Sequence, residues 1–379
     1  MTADAAGPDT DATPELDLHG DVVDLTRALC DIESVSGDEA ALADAVERAL
    51  RRLGHLDVTR DGDTVVARTE LGRPQRVVVA GHLDTVPLRR PVPNLPTWVE
   101  GEDRRADGGA DERVVFGRGT ADMKSGVAVQ LSVAAAVTDP VRDITWVFYD
   151  NEEVEADRNG LGRVARHQPQ WLAGDFAVLC EPSSGTVEGG CNGTMRVEVT
   201  VPGVAAHSAR AWMGDNAIHR AADVLGRLVD YVPEDPEVDG LVYRESLNAV
   251  AIGGGIAGNV IPDRCVVTVN YRFAPSRSVE QAEAHLRRLF AGYEVALTDA
   301  SPGARPGLDH PAAAAFVAAI GREPKPKYGW TDVARFSAMG VPAVNYGPAD
   351  PSLSHTDGEH CPAAAITECR RALRDWLSG

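Results

Sequence analysis

Three short apolar runs constrain this chain most: QRVVVAGHLD (75–84), DITWVFYD (143–150) and DFAVLCE (175–181). Each is rich in β-branched or aromatic residues and shows little polar alternation, which predicts strands buried on both faces. Between the first two lies DMKSGVAVQLSVAAAV (122–137), a helical stretch of small residues. Strands alternating with helices indicate a parallel sheet, because parallel neighbours need a crossover and a helix supplies it. The expected fold class is therefore α/β, a mostly parallel-sheet catalytic domain with helices on both faces. Upstream, DVVDLTRALCDIESVSGDEAALADAVERALRRLG (21–54) predicts two helices around a Ser-Gly loop, and DTVVART (63–69) another strand. The Pro- and Gly-rich stretch 90–119 predicts a loop with a small hairpin.

The pattern changes near Cys191. GTMRVEVTVPG (193–203) alternates like a half-exposed antiparallel strand, and LNAVAIGGG (247–255) and RCVVTVNYRF (264–273) are further strands. Two amphipathic helices, DNAIHRAADVLGRLVDYV (215–232) and SVEQAEAHLRRLF (278–290), accompany them. After Gly303 the helix–strand alternation resumes. The expected organisation is a catalytic domain in two parts, 1–192 and 303–379, with an inserted α+β domain at 193–302 and a mobile tail over 1–18.

Acidic residues outnumber basic ones 57 to 37, a net charge of −20, so no nucleic-acid partner is expected. No apolar run reaches the roughly 20 residues that span a bilayer, and MTADAAGPDTDATPELDLHG (1–20) lacks the basic-then-apolar order of a signal peptide. The six cysteines are scattered without C-x-x-C spacing, as expected of reduced, mostly buried thiols in a cytoplasmic protein.

Polar residues at the ends of the apolar runs carry the chemistry. In open α/β sheets, ligands bind outside the carboxyl ends of the strands. VVVAGHLDTVP places His82 and Asp84 there, and an H-x-D pair lets the carboxylate orient the imidazole of a metal ligand. FYDNEEVEA places Glu152 and Glu153 at the next strand end, and VLCEPS places Glu181 at the third. Asp122 opens the helix after FGRGTADMKSG, and LSHTDGEHCP offers His355 and His360. Two imidazoles and three carboxylates suit two Zn²⁺-like ions, each with one His and one Glu and both sharing one Asp. That leaves one glutamate of the adjacent pair outside the ligand set, where a hydrolase needs a base. Glu153 is therefore assigned to metal and Glu152 to proton transfer. GGGIAG (253–258) matches the spacing of a dinucleotide loop, but NVIPD follows it where a helix is required.

In order and spacing, GHLDTVP, GRGTADMKSG, NEE and CEPS resemble the signatures of the di-zinc aminoacylase and carboxypeptidase-type metallo-amidohydrolases, over nearly the whole chain. The resemblance implies His82, Asp122, Glu153, Glu181 and His355 as ligands of two divalent ions, zinc with cobalt as the alternative, and Asp122 bridging. His82 would share one ion with Glu181, and His355 the other with Glu153. Asp84 would orient His82, and Glu152 would act as general base and acid. The insert becomes a dimerisation lid whose His207 reaches the partner subunit's site, making the protein a homodimer. Asn259 and Arg272 would meet the substrate, a small N-acylated polycarboxylate. Rival readings are a different N-acyl amino acid hydrolase and a non-catalytic binder on the same fold. Glu152 argues against the binder, which has no use for a base outside the ligand set.

Overall fold

The computed structural model describes residues 15–379, which fall into two compact units. The first comprises the described residues up to Val187 together with Asp309–Glu323 and Val344–Gly379; the second comprises Glu188–Leu308 and Pro324–Ala343.

In the first unit the predicted strands, together with the unanticipated Asp57–Asp61, lie in one sheet in the order Asp57–Asp61, Thr64–Arg68, Asp143–Tyr149, Arg76–His82, Phe176–Leu179. Arg76–His82 runs parallel to both of its neighbours, and the first two strands add an antiparallel edge. Every residue of Asp143–Tyr149 and of Phe176–Leu179 is buried, which is why those runs carry no polar alternation. The register pairs His82 with Tyr149 and Ala80 with Leu179, so all three strands release their next residues at one rim.

The helix Lys124–Ala136 packs against the Arg76–His82 strand and against helices Val22–Asp31 and Ala363–Ser378. It is buried on every side, from Lys124 to Ala135, which explains its small side chains. Gly126 is the tightest point: a Cβ there would lie 2.0 Å from the Cys180 carbonyl oxygen. Only glycine lets the first turn of this helix pass so close to the strand end that carries Glu181. The hairpin expected in 90–119 forms from Trp98–Glu100 and Val114–Phe116, and His360–Pro362 adds a third strand to it.

The tail needs correction at its end. Residues 1–14 lie outside the described residues, but Leu16 and Leu18 are only 2% and 4% exposed, and the Leu16 carbonyl accepts from Arg52 Nη2. Two alternating leucines in an acidic stretch are enough to dock it.

In the second unit an antiparallel sheet has the order Ser246–Gly254, Arg264–Phe273, Gly193–Pro202, Glu294–Ser301. Met195, Val197, Val199, Val267, Val269 and Tyr271 form its core with helices Ala217–Val229 and Val279–Leu289. Glu294–Ser301 was not anticipated; its burial pattern, mostly exposed with only Val295 and Ser301 buried, leaves little apolar alternation to read. The unit is also wider than the insert expected at 193–302. Lys325–Pro326 pairs in parallel with Glu188–Gly189, Lys327 forms an ion pair with Glu188 at 2.9 Å, and Trp330 donates to the Pro302 carbonyl. These long-range bonds draw in Pro324–Ala343, which had been expected in the catalytic domain. The glycines at 253–258 lead into the short strand Val260–Ile261, not a helix. Among the described residues no helix is long and apolar enough to cross a membrane.

Candidate metal centre

The common rim gathers the strand-end residues of the first unit. His82, 1% exposed, ends its strand with Nδ1 3.0 Å from the backbone oxygen of Asp84 and 3.4 Å from that residue's Oδ1. Its other nitrogen, Nε2, faces carboxylates: Asp122 Oδ1 at 3.2 Å and Glu181 Oε1 at 4.0 Å. His355, half-exposed on its loop, directs Nε2 to Glu153 Oε1 at 2.9 Å and to Asp122 Oδ2 at 3.4 Å. Asp122 therefore stands between the two imidazoles, one oxygen toward each.

Three sets of residues can each bring one donor atom within 4.8 Å of the others: His82 with Asp122 and Glu181, Asp122 with Glu153 and His355, and His82 with Glu152 and Glu153. The first two share Asp122 and match the pairs expected by resemblance. Glu152 enters only the third, and Glu153 Oε1 meets His355. His360 is elsewhere: it pairs with Phe116 in the small sheet, and its ring lies 4.9 Å from that of Phe116.

The backbone of the adjacent glutamates is pinned. Asp84, fully buried, accepts the N–H of Glu152 on Oδ1 at 2.9 Å and that of Glu153 on Oδ2 at 3.0 Å, with Ser36 Oγ donating to Oδ2 at 2.7 Å. The Asn151 N–H goes to Glu39 Oε1 at 3.0 Å, and Asn151 is left-handed at φ +58°. Three consecutive N–H groups thus end on buried carboxylates, which fixes the backbone of the turn. Asp84 touches His82 as expected, but its carboxylate also braces this turn. Ser36 and Glu39 were not anticipated, although both stand in the SVSGDE loop.

The electrostatics agree with a cation site. Burial would depress the His82 pKa, yet Asp122 and Asp84 raise it well above the ordinary value. Hydrogen bonds donated to Asp122 and Glu153 push His355 up to about 10. Burial alone would raise the Asp122 carboxyl, but His355 and His82 hold it far below the carboxylate range. For Glu153, burial and then the charge of Asp122 raise the carboxyl. Crowded carboxylates call for positive charge, and protons on the imidazoles are the weakest way to supply it. A mixed set of imidazole and carboxylate donors fits divalent ions of the zinc type. Thiolate is not among the donors: all six cysteines are buried and none is in a disulfide.

His207, Asn259 and Arg272 belong to the second unit. His207 and Asn259 come together: His207 pairs with Val260, and the Asn259 carbonyl accepts from Ser208 N at 2.9 Å. The Ala209 N–H donates to His207 Nδ1 at 3.1 Å, so in the neutral ring Nε2 carries the proton. Arg272 lies near the far end of the strand that begins at Arg264, roughly 26 Å from Arg264 at about 3.3 Å per residue. Its Nε donates to Asn270 Oδ1 at 3.2 Å.

An α/β sheet with imidazoles and carboxylates converging at its strand ends defines a metal-dependent hydrolase. The chain belongs to peptidase family M20/M25/M40, whose family model matches residues 78–378. Over 96% of this chain and 100% of its own length, a Mycobacterium tuberculosis protein named provisionally as a succinyl-diaminopimelate desuccinylase is 50% identical. The succinyl-diaminopimelate desuccinylase of Corynebacterium glutamicum is 44% identical over 96% of this chain and 98% of its own. Among solved structures, a Staphylococcus aureus tripeptidase matches with TM-score 0.76 at 20% identity, covering 96% of this chain and 99% of that one. A Bacillus subtilis protein titled a dinuclear metal binding peptidase matches with TM-score 0.68 at 17% identity, covering 95% and 98%. At those identities the structural likeness concerns the fold.

Proposed function

We propose that this enzyme hydrolyses the amide of N-succinyl-LL-2,6-diaminopimelate, releasing succinate and LL-2,6-diaminopimelate, with two divalent ions bound per subunit and zinc as the metal, replaceable by cobalt. The observation that carries this reading is end-to-end identity of 44–50% with relatives bearing that name. His82, Asp122 and Glu181 would hold one ion, and Asp122, Glu153 and His355 the other. Divalent ions held by these residues would supply Lewis acidity and lower the pKa of water to about 7. Glu152 takes a proton from the attacking water and passes it to the amide nitrogen as the C–N bond breaks. Asp84 keeps the Glu152 backbone in place while the side chain moves that proton.

The same reading makes the protein a cytoplasmic homodimer, and six buried thiols outside any disulfide suit that compartment. His207 pairs with Val260, just before the strand whose far end carries Arg272, and on this reading the site draws the two from different copies. Arg272 would pair with a substrate carboxylate, and the Nε2–H of His207 would donate to the carbonyl oxygen as it gains charge. The second unit also exposes apolar side chains fit for burial against another copy: Val250 and Ile252 on its edge strand, Ile256 just beyond, and Trp212 and Met213 near His207. Mixing His207→Ala protein with Glu152→Gln protein should then restore activity, because each heterodimer contains one intact composite site. Mixtures that exchange subunits yet never exceed the parents refute donation between copies.

The substrate is tested with purified protein against N-succinyl-diaminopimelate, N-acetylornithine, other N-acyl amino acids and dipeptides. The succinylated diamino acid should give the highest kcat/KM. A higher value for N-acetylornithine or a dipeptide moves the enzyme to a different acyl specificity within the family, and no turnover of any compound overturns the catalytic reading.

A further inference from the structure

Glu359 enters none of the candidate ligand sets, yet it ties two of their segments together. The antiparallel pairing of His360–Pro362 with Val114–Phe116 is continued by a bond from the Gly117 N–H to the Glu359 carbonyl at 3.0 Å. That register sends the Glu359 side chain, 2% exposed, back under the loop that leads to Asp122. Its Oε1 accepts the N–H groups of Ala121 at 3.0 Å and Asp122 at 3.1 Å. Its Oε2 receives Arg118 Nη1 at 2.6 Å, and the same nitrogen lies 3.4 Å from the carbonyl of Thr356, the residue after His355. Arg118 is itself 4% exposed.

We propose that Glu359, with Arg118, is a positioning residue that fixes Asp122 relative to His355 and so sets the geometry of both metal sites. The inference rests on the ligand assignment above. A buried ion pair contributes little stability beyond what apolar side chains of equal volume would give. This one spends its carboxylate on the two N–H groups that orient Asp122, the residue common to both ligand sets. The turn at Glu152 and Glu153 is built the same way, with Asp84 as the bracing carboxylate. Ligand geometry tolerates only about half an ångström of error, and partners outside the ligand set typically govern metal affinity 10–100-fold.

Removing one partner alone strands the other charge, so the test replaces both. In Arg118→Met/Glu359→Leu protein the two N–H groups lose their acceptor; in Arg118→Met/Glu359→Gln protein an amide oxygen can still receive them. Zinc dissociation constants are measured by chelator competition, beside the melting temperatures of the metal-free proteins. The Leu pair should bind zinc about 10–100-fold more weakly, and the Gln pair, which keeps the acceptor for the two N–H groups but loses the Arg118 contact to Thr356, should fall between the Leu pair and the wild type, although both metal-free proteins melt alike. Wild-type affinity in the Leu pair overturns the inference, as does a Gln pair that falls as far as the Leu pair. Should the Leu pair not fold, Glu359→Asp decides in its place. That variant keeps the charge opposite Arg118 but withdraws the oxygen by one methylene, so weaker zinc binding supports the proposal and unchanged binding overturns it. Wild-type protein that takes up no metal overturns the ligand assignment itself, a result distinct from either.

Discussion

Glu152→Gln should lower kcat by roughly 10²–10⁴-fold while the protein keeps both metal ions. The substitution preserves shape and hydrogen bonding but leaves an amide that can neither take a proton from water nor deliver one to the departing nitrogen. The Glu152 backbone is held by Asp84 Oδ1 at 2.9 Å, so the turn should not move when the side chain changes. The loss should therefore fall on kcat with KM nearly constant, and added metal should not restore activity. Glu153→Gln should fail differently. Its Oε1 faces His355 at 2.9 Å, within the set that includes Asp122, so its loss should weaken one ion, and high metal concentrations should recover part of the activity. The geometry also permits a set of His82, Glu152 and Glu153, which makes the comparison decisive. If Glu152→Gln loses an ion while Glu153→Gln keeps both, the roles of the two glutamates are exchanged.

Stripping the protein with a chelator should abolish hydrolysis, and Zn²⁺ or Co²⁺ should restore it. The candidate ligands form two sets of one imidazole and two carboxylates, each within 4.8 Å and sharing Asp122, a charge cluster with no use for a metal-free catalyst. Metal should also stabilise the fold, since a ligand at 100 times its Kd adds about 2.7 kcal/mol. The melting temperature of stripped protein should thus rise as zinc is titrated in. Because the donors are nitrogen and oxygen, Cys180→Ser, next to Glu181 in sequence, should leave the metal content unchanged. Full activity in metal-free protein would falsify the reading of the site; loss of an ion from the cysteine variant would show that the donor list is incomplete.

Much of the site was legible because its residues follow apolar runs whose nature is local. Arg76–His82, Asp143–Tyr149 and Phe176–Leu179 announce themselves by β-branched and aromatic content. Parallel pairing then brings His82, the Glu152–Glu153 turn and Glu181 to one rim without further information. His355 was harder. Two histidines stand in one loop, and only the pairing of His360 with Phe116 removes the second from consideration.

The edges of the units were less legible. Glu294–Ser301 exposes most of its length, so its sequence carries little of the alternation that marks a strand. Pro324–Ala343 joins the second unit through contacts such as Lys327 with Glu188, and nothing local distinguishes that lysine from one in solvent. Leu16 and Leu18 sit in a stretch whose acidity outweighs two leucines, yet both are buried.

The sequence by itself determined the α/β class, the inner strands of the central sheet and the candidate donor residues at their ends, because periodicity and hydrophobicity are properties of neighbouring residues. Only the tertiary structure decided what holds those donors in place. Asp84 bracing the turn that bears Glu152 and Glu153, Glu39 receiving the Asn151 N–H, and Glu359 receiving that of Asp122 are all carboxylates bonded to backbone. Backbone N–H groups are the same at nearly every residue, so they leave no mark in a sequence, and the partners can lie far apart: Glu359 and Asp122 are separated by 237 positions along the chain.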